Sequence, residues 1–384
     1  MPESVTRWQA VVIGGGLAGC AVAIRLALAG QQVLLLEKAA AAHDKVCGEF
    51  ISADAQHYLH ELGVDLAKLG AVPISKVRLI KRHKTVSANL PFQACSLSRR
   101  VLDEDMIQLA EQHGVRVLRA CEAGALDKVP QGWRITNLGS EAVLADTVFL
   151  TTGKHDLRNW RRQGGVQNSY IAFKMHFRLT EQQYNTLREH IELTLFNGGY
   201  AGLEPIEDGK ANFCLVVTKR DFSLYGKSWD SLLQAILKAT PLLAERLMAA
   251  KPCWPRPLSI FGIPYGFLYN ATSEQPKSLY RVGDQMAVIP SFCGYGMSIA
   301  LHTAFLAVKC YQHSDDVYYH HQAHDDLQSL IKQTTRLSKM MEYSFMQEMA
   351  LLAGRLKPNL ISQILSHSRL LKSIILTELS SYEG

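Results

Sequence analysis

No Cys-x-x-Cys pair occurs in this sequence, whose eight cysteines stand apart at 20, 47, 95, 121, 214, 253, 293 and 310. Zinc ribbons and dithiol redox motifs are therefore unsupported, and no metal site is expected. No apolar run reaches the roughly 18 residues that suggest a membrane-spanning helix. Basic residues do not alternate with aromatics as a nucleic-acid stacking surface requires, so no nucleic-acid partner is expected. Internal repeats and low-complexity linkers are absent as well. No signal-peptide pattern opens the sequence, so a reduced, cytoplasmic setting is the expectation, with peripheral membrane contact left open. Its net charge of +6 is a mild excess that suits an anionic cofactor or a membrane surface. With 384 residues, 47% of them hydrophobic, the chain can bury a large core in about two domains.

What the sequence does carry begins at once. Ala10-Val11-Val12-Ile13 reads as a buried strand, and Gly14-Gly15-Gly16-Leu17-Ala18-Gly19 as a glycine turn opening an apolar helix. Val33-Leu34-Leu35-Leu36-Glu37 then reads as a second buried strand ending in a carboxylate. Gly14 permits the tight turn, Gly16 lets the backbone approach a pyrophosphate, and Gly19 lets the helix pack on the strand. Amides at the helix start face the phosphates along the favourable end of the dipole. Glu37 stands where a ribose hydroxyl needs an acceptor. A bare glycine motif is weak, but both strands, the helix and the acid together predict a dinucleotide site.

A second motif lies a domain away. Leu279 to Asp284 reads as a strand ending in Gly283-Asp284, followed by Phe292-Cys293-Gly294-Tyr295-Gly296-Met297 and an apolar helix. Asp284 can accept hydrogen bonds from polyol hydroxyls. Gly294 and Gly296 leave room for a flat ring, and the helix start near Met297 offers amides to a developing anion. Two cofactor motifs this far apart point to FAD rather than to a nicotinamide nucleotide alone.

Between the motifs the texture changes. Arg99 to His113 reads as helix, and Val115–Leu118, Trp133–Thr136 and Thr147–Leu150 as strands. From Ser169 to Thr218 β-prone segments follow one another, which predicts a largely antiparallel sheet. Ser228–Met248 reads as one helix, and beyond Gln322 the pattern is helical to the end, broken near Gly354 and Pro358. The predicted architecture is α/β. A Rossmann-type FAD-binding domain (1–165 and 275–320) carries an inserted, mostly antiparallel substrate domain (166–274) and a C-terminal helical region (321–384).

These residues carry a family resemblance. The paired motifs resemble the FAD-dependent oxidoreductases that include geranylgeranyl reductases, aromatic hydroxylases and flavin-dependent halogenases. Val46-Cys47-Gly48-Glu49 resembles the Cys-Gly loop of the geranylgeranyl reductases, and Arg99-x-x-Leu102-Asp103 the arginine segment that contacts FAD. The resemblance implies cofactor contacts from Gly14, Gly16, Ala18, Gly19, Glu37, Lys38, Gly48, Arg99, Gly283, Asp284, Gly294, Gly296 and Met297. It places Cys47, Glu49 and Tyr200 as catalytic candidates. Departures matter too. The middle Asp-Gly pair is here Asp156-Leu157, which leaves the donor, NADPH or NADH, open. The Tyr-x-Trp-x-Phe-Pro signature becomes Tyr200-Ala201-Gly202-Leu203-Glu204-Pro205, so Glu204 and Tyr295 are substrate-pocket candidates. The halogenases' Trp-x-Trp-x-Ile-Pro is absent.

The expected function is an FAD-dependent monooxygenase or C=C reductase acting on a hydrophobic or aromatic metabolite, in the manner of secondary metabolism. A separate reductase or a carrier protein is an open partner. The alternatives are a non-catalytic flavoprotein and a halogenase-like enzyme lacking the tryptophan motif. His320 and His324 have metal-compatible spacing, but a surface histidine cluster is the favoured reading. The basic, amphipathic tail from Leu327 to Leu379 reads first as a helix pair on the protein's own core, and second as a membrane contact.

Overall fold

The structure, a computed structural model, describes residues 6–137, 142–162, 169–272, 276–357 and Ser362. In chain order the elements used below are β1 (Arg7–Ile13), α1 (Leu17–Leu28), β2 (Val33–Leu36), β3 (Val72–Lys81) and β4 (Lys84–Ser96). There follow α2 (Arg99–Gln112), β5 (Arg116–Leu118), β6 (Ala123–Val129), β7 (Gly132–Asn137) and β8 (Val143–Leu150). The second half adds β9 (Tyr170–Arg178), β10 (Glu189–Phe196), β11 (Gly199–Ile206), β12 (Lys210–Thr218) and β13 (Leu279–Arg281). Three helices close the series: α3 (Gly296–Gln312), α4 (Asp316–Met340) and α5 (Ser344–Leu356).

The first sheet runs β5-β2-β1-β8-β7-β6, with β13 also paired to β8. Its β5, β2, β1, β8 and β13 pair in parallel. Helices cover these strands, so β2 is buried throughout as Val-Leu-Leu-Leu and shows no alternation. One core cluster packs α1, α2 and α3 on this sheet, and Leu17 to Leu26 of α1 are almost wholly buried in it.

The second sheet contains β9-β12-β11-β10-β3-β4, edged by Lys251–Pro252 and Phe50–Ile51. Every pairing in it is antiparallel except β10 with β3. Here residues alternate. Ile171, Phe173, Met175 and Phe177 of β9 pack with Ala201, Leu203, Phe213 and Leu215 under the helices of residues 229–247. Tyr170, Ala172, Lys174 and His176 therefore share the opposite face, toward the first sheet.

Three expectations change. Residues 50–96, expected within the FAD-binding domain, supply β3, β4 and Phe50–Ile51 to the second sheet, so that sheet is built from two separate segments that interrupt the first. Alternating lysines and arginines on β3 mask its apolar positions in a composition scan. The helix expected over 228–248 is two, Trp229–Ala239 and Pro241–Leu247, because Pro241 cannot continue the first. The C-terminal helical pattern starts at Asp316 and breaks at Met341–Tyr343, while Gly354 is a buried interior residue of α5. Pro358 and the expected helix beyond it lie outside the described residues.

Candidate functional site

The glycine turn is dictated by contacts. Gly14 has φ +114°, and a Cβ there would lie 2.6 Å from the Thr151 carbonyl oxygen. A Cβ on Gly19 would lie 1.9 Å from the Gly14 carbonyl oxygen, so α1 can pack this closely only with glycine. Gly16 differs, since its Cβ would meet only Lys45 Nζ at 3.6 Å and Arg99 Nη2 at 3.8 Å. No side chain caps α1 and no acid occupies its first turn. The result is a helix N-terminus opening onto two cations, an anion site in plain electrostatic terms.

Those cations are held in place. Arg99 donates twice to Asp103, at 2.8 and 2.9 Å, and Lys45 donates to the same carboxylate at 2.7 Å. Burial pushes Asp103 up, but the Arg99 and Lys45 charges hold it below the usual carboxylate range. Glu37 accepts from Gly15 N–H and Ala39 N–H, both at 2.8 Å, which ties the turn to the end of β2. Each of its oxygens retains a second lone pair for a hydroxyl. Lys38 beside it is exposed, and Ala18 packs within the core.

The second motif folds against the first. Gly283 (φ +65°) brings its backbone to Ala18, where a Cβ would lie 3.1 Å from the alanine Cβ. The half-buried Asp284 lies beside Gly153, and Arg162 donates to the Asp284 carbonyl at 2.8 Å. Gly294 (φ +73°) packs against the Phe50 ring, whereas Gly296 is exposed and a Cβ there would meet nothing within 4 Å. No side chain caps α3. Tyr295, a candidate for the pocket, is instead 1% exposed and part of the core beneath the loop. Met297 is buried there too, so its contribution to a ligand is its position at the start of α3.

Two uncapped helix starts, open positions at Gly16, Gly48 and Gly296, and the Arg99–Lys45 pair fit a long anionic dinucleotide. On the sheet side a polar cluster meets the loop that carries Gly48. Glu49 has φ +59° and is fully buried. Its carboxylate accepts from Lys174 Nζ and from Arg99 N–H at 2.7 Å, and bonds His176 Nε2 at 2.8 Å. Burial raises Glu49, but Lys174 and His176 outweigh it and hold the carboxyl below its ordinary range.

Glu204 sits one strand further across, in register with Asn212, which itself faces His176. It is 2% exposed, and burial pushes it well above the ordinary carboxyl range. Asn212 Nδ2 approaches the Gly48 carbonyl at 2.9 Å, the Cys47 carbonyl at 3.3 Å and Glu204 Oε1 at 3.4 Å. Among the described residues Glu204 Oε2 has no hydrogen-bond partner. Cys47 Sγ accepts from Glu49 N–H at 3.3 Å. Tyr200, on the same face two rows away, donates to Ser291 Oγ at 2.9 Å and stands edge-on to Phe292.

The structure thus brings Cys47, Gly48, Glu49, Arg99 and Glu204 together, with Tyr200 against the Ser291–Cys293 loop. Sequence reasoning missed Lys174, His176 and Asn212. Their signal was period two: Lys174 and His176 alternate with Phe173, Met175 and Phe177 along β9. Asp44, Glu49 and His176 bring possible ligand atoms within 4.8 Å of one another, and the Lys174 ammonium already supplies positive charge at Glu49. His320 is no surface residue: it is buried, bonds the Asp316 carbonyl at 2.7 Å and accepts from Arg281 N–H at 3.2 Å. Among the described residues no helix is long and apolar enough to cross a membrane.

Comparison with known proteins agrees with this geometry. Residues 9–76 match the family described as FAD dependent oxidoreductase. A curated relative, menaquinone reductase of Mycobacterium tuberculosis, is 24% identical over 322 residues, spanning 78% of this chain and 75% of the relative. The flavin-dependent brominase Bmp2 superposes with a TM-score of 0.79 at 16% identity, covering 98% of this chain and 99% of its own. Halogenase PltM in complex with phloroglucinol and FAD gives 0.74 at 12% identity, over 94% and 82% of the two chains. Residues 9–76 thus carry the FAD dependent oxidoreductase match, the chain shares its fold with the flavin-dependent halogenases, and FAD is the cofactor that these matches support.

Proposed function

We propose that this protein is a reductase of a hydrophobic, unsaturated metabolite, with a menaquinone-like lipid as the first substrate to test. The relatives named menaquinone reductase, which match about three quarters of their own length, support the substrate class. The observation that carries the reaction type is the pair of buried carboxyls Glu49 and Glu204 on either side of Asn212 and the Cys47–Gly48 backbone, one pushed below and the other above the ordinary carboxyl range. Environments that push two acids apart in this way divide acid from base roles.

The α1 N-terminus, Arg99 and Lys45 hold the pyrophosphate, Glu37 the ribose, and the Asp284 and Gly296 segments the flavin side. Bound there and first reduced by an electron donor, FAD would supply the hydride and return to its oxidised form. Addition of hydride to one carbon of a double bond leaves a charge on the other that a proton must quench. Glu204 keeps that proton away from water, and Asn212 links it to the Cys47–Gly48 backbone. Glu49, clamped by Lys174 and His176, positions the same loop. Tyr200 and the Ser291 hydroxyl fix the neighbouring wall.

Leu157, where the family has glycine, is 8% exposed in the core of the first sheet. Gln285 Nε2 further pins this loop, donating to the Gly153 carbonyl at 2.9 Å and to the His155 carbonyl at 3.1 Å. A nicotinamide donor is therefore expected to reduce the enzyme slowly on its own, and faster with substrate or a partner reductase. Anaerobic stopped-flow reduction by NADPH and NADH tests this. Fast reduction that is indifferent to substrate would overturn it. Product analysis tests the reaction itself: a substrate gaining two hydrogens supports reductase chemistry, and one gaining an oxygen atom refutes it.

A further inference from the structure

The outer face of α5 is an apolar surface that the site leaves unused. Phe345, Met349, Leu352 and Leu356 recur at i, i+4, i+7 and i+11, and so form one stripe. They are 71%, 44%, 50% and 74% exposed. Met340 and Tyr343, just before the helix, extend the stripe at 45% and 67%. Six large side chains exposed side by side are far more than the scattered apolar residues an ordinary surface carries.

The charges around the stripe are mostly positive. Arg82, Lys339, Arg355 and Lys357 are exposed about it. Of the acids nearby, Glu348 pairs with Lys84 at 2.7 Å, and Glu342, which accepts from the Tyr170 hydroxyl, is one negative charge against four positive ones. An apolar stripe rimmed by exposed basic residues is the pattern of a helix lying in the interface of an anionic bilayer.

The inner face of the helix gives the location meaning. Leu351 packs with Val86 and Leu195, joined by Leu79 and Tyr200, on the cleft-facing side of the second sheet. Lys81 Nζ anchors the helix to that sheet through Gln347 Oε1 at 2.6 Å and Ser344 Oγ at 2.8 Å. Tyr200 in turn touches Ser291 of the flavin loop. We infer that α5 docks this protein on an anionic lipid surface through Phe345, Met349, Leu352 and Leu356, with Arg82, Lys339, Arg355 and Lys357 meeting the headgroups. This face backs directly onto the cleft wall. The inference rests on the surface of α5 and not on the reaction proposed above.

Co-sedimentation of the FAD-loaded full-length protein with vesicles decides the matter. Phosphatidylcholine vesicles with and without phosphatidylglycerol are compared, at low and high salt. The wild type is expected to partition onto the anionic vesicles, and to be released by salt or by omission of phosphatidylglycerol. Phe345→Ser/Leu352→Ser/Leu356→Ser should weaken binding by about tenfold or more while keeping its flavin spectrum, since all three side chains are already in water. Arg355→Glu/Lys357→Glu, which leaves the stripe intact, should weaken binding as well. Three results overturn the inference. These are a folded wild type that ignores anionic vesicles, variants that bind as tightly as wild type, and a wild-type dimer that the serine variant dissociates. Binding is read without turnover, so a failed reductase assay leaves this outcome unaffected.

Discussion

At the level of single residues, the site separates positions where glycine is sterically forced from those where it leaves room. Gly14 and Gly19 hold the turn together, whereas Gly16 keeps a space open in front of Arg99 and Lys45. Gly16→Val should therefore fold yet fail to retain FAD, as read from the visible flavin bands of purified protein. Retention at wild-type affinity would remove this turn from the cofactor site. The carboxyls give opposite pH signatures. The folded pKa of Glu49 is lowered, so its contribution to stability is present above its ordinary value and lost as pH falls through the folded one. That of Glu204 is raised, so its contribution is present at acid pH and lost as pH rises toward the folded value. Glu49→Gln leaves Lys174 buried without its counter-charge and should cost about 3–5 kcal/mol. Denaturant titration checks that figure. Glu204→Gln should flatten the loss of stability that sets in above the ordinary carboxyl range, measured by thermal melts across pH. Its turnover should fall roughly a hundredfold or more if the residue donates a proton. Unchanged turnover would reduce Glu204 to a structural role. The sequence made Cys47, Glu49 and Glu204 visible through flanking motifs. It concealed Lys174, His176 and Asn212, because nothing in a strand's own sequence says which face will meet a loop more than a hundred residues earlier.

At the level of elements, local patterns were reliable where one physical rule dominates. The β1–α1–β2 unit was legible because continuous apolar strands and a glycine turn have few other solutions. The start of α3 shifted by one residue, to Gly296. Strands β3 and β4 were not legible, since their partners are β10 and each other, and such pairing depends on contacts distant in sequence. The break at Thr240–Pro241 was legible in principle from the proline alone. Helix α5 depends on a few polar anchors at one end: Lys81 reaches Ser344 and Gln347, and Gln347 donates to the Phe196 carbonyl at 2.9 Å and the Met341 carbonyl at 2.7 Å. Lys81→Met removes the first set and strands the buried Gln347 Oε1. It should lower stability by about 1–3 kcal/mol and speed amide exchange in residues 344–356 without altering exchange in α1. Equal acceleration in both helices would show that α5 is not a separately opening element.

At the level of the whole molecule, two sheets meet along one polar seam. The first sheet presents the α1 and α3 starts, and the second presents Lys174, His176, Asn212 and Glu204. The loop 44–50 lies between them and is fastened to both, to Asp103 through Lys45 and to the second sheet through Glu49. The fold class was readable in advance because the two cofactor motifs bracket the β-rich insertion. The seam was not, because it exists only once the two sheets are docked. The central claim is that this seam delivers hydride and proton to an unsaturated lipid. Its most direct test is an anaerobic single turnover, in which reduced, FAD-loaded enzyme is mixed with a prenylated naphthoquinone and the return of the oxidised flavin band is followed. Wild type should reoxidise with one substrate reduced per flavin, and Glu204→Gln should do so roughly a hundredfold more slowly at unchanged FAD content. Reoxidation that requires oxygen, or that proceeds equally fast in the variant, would contradict the account.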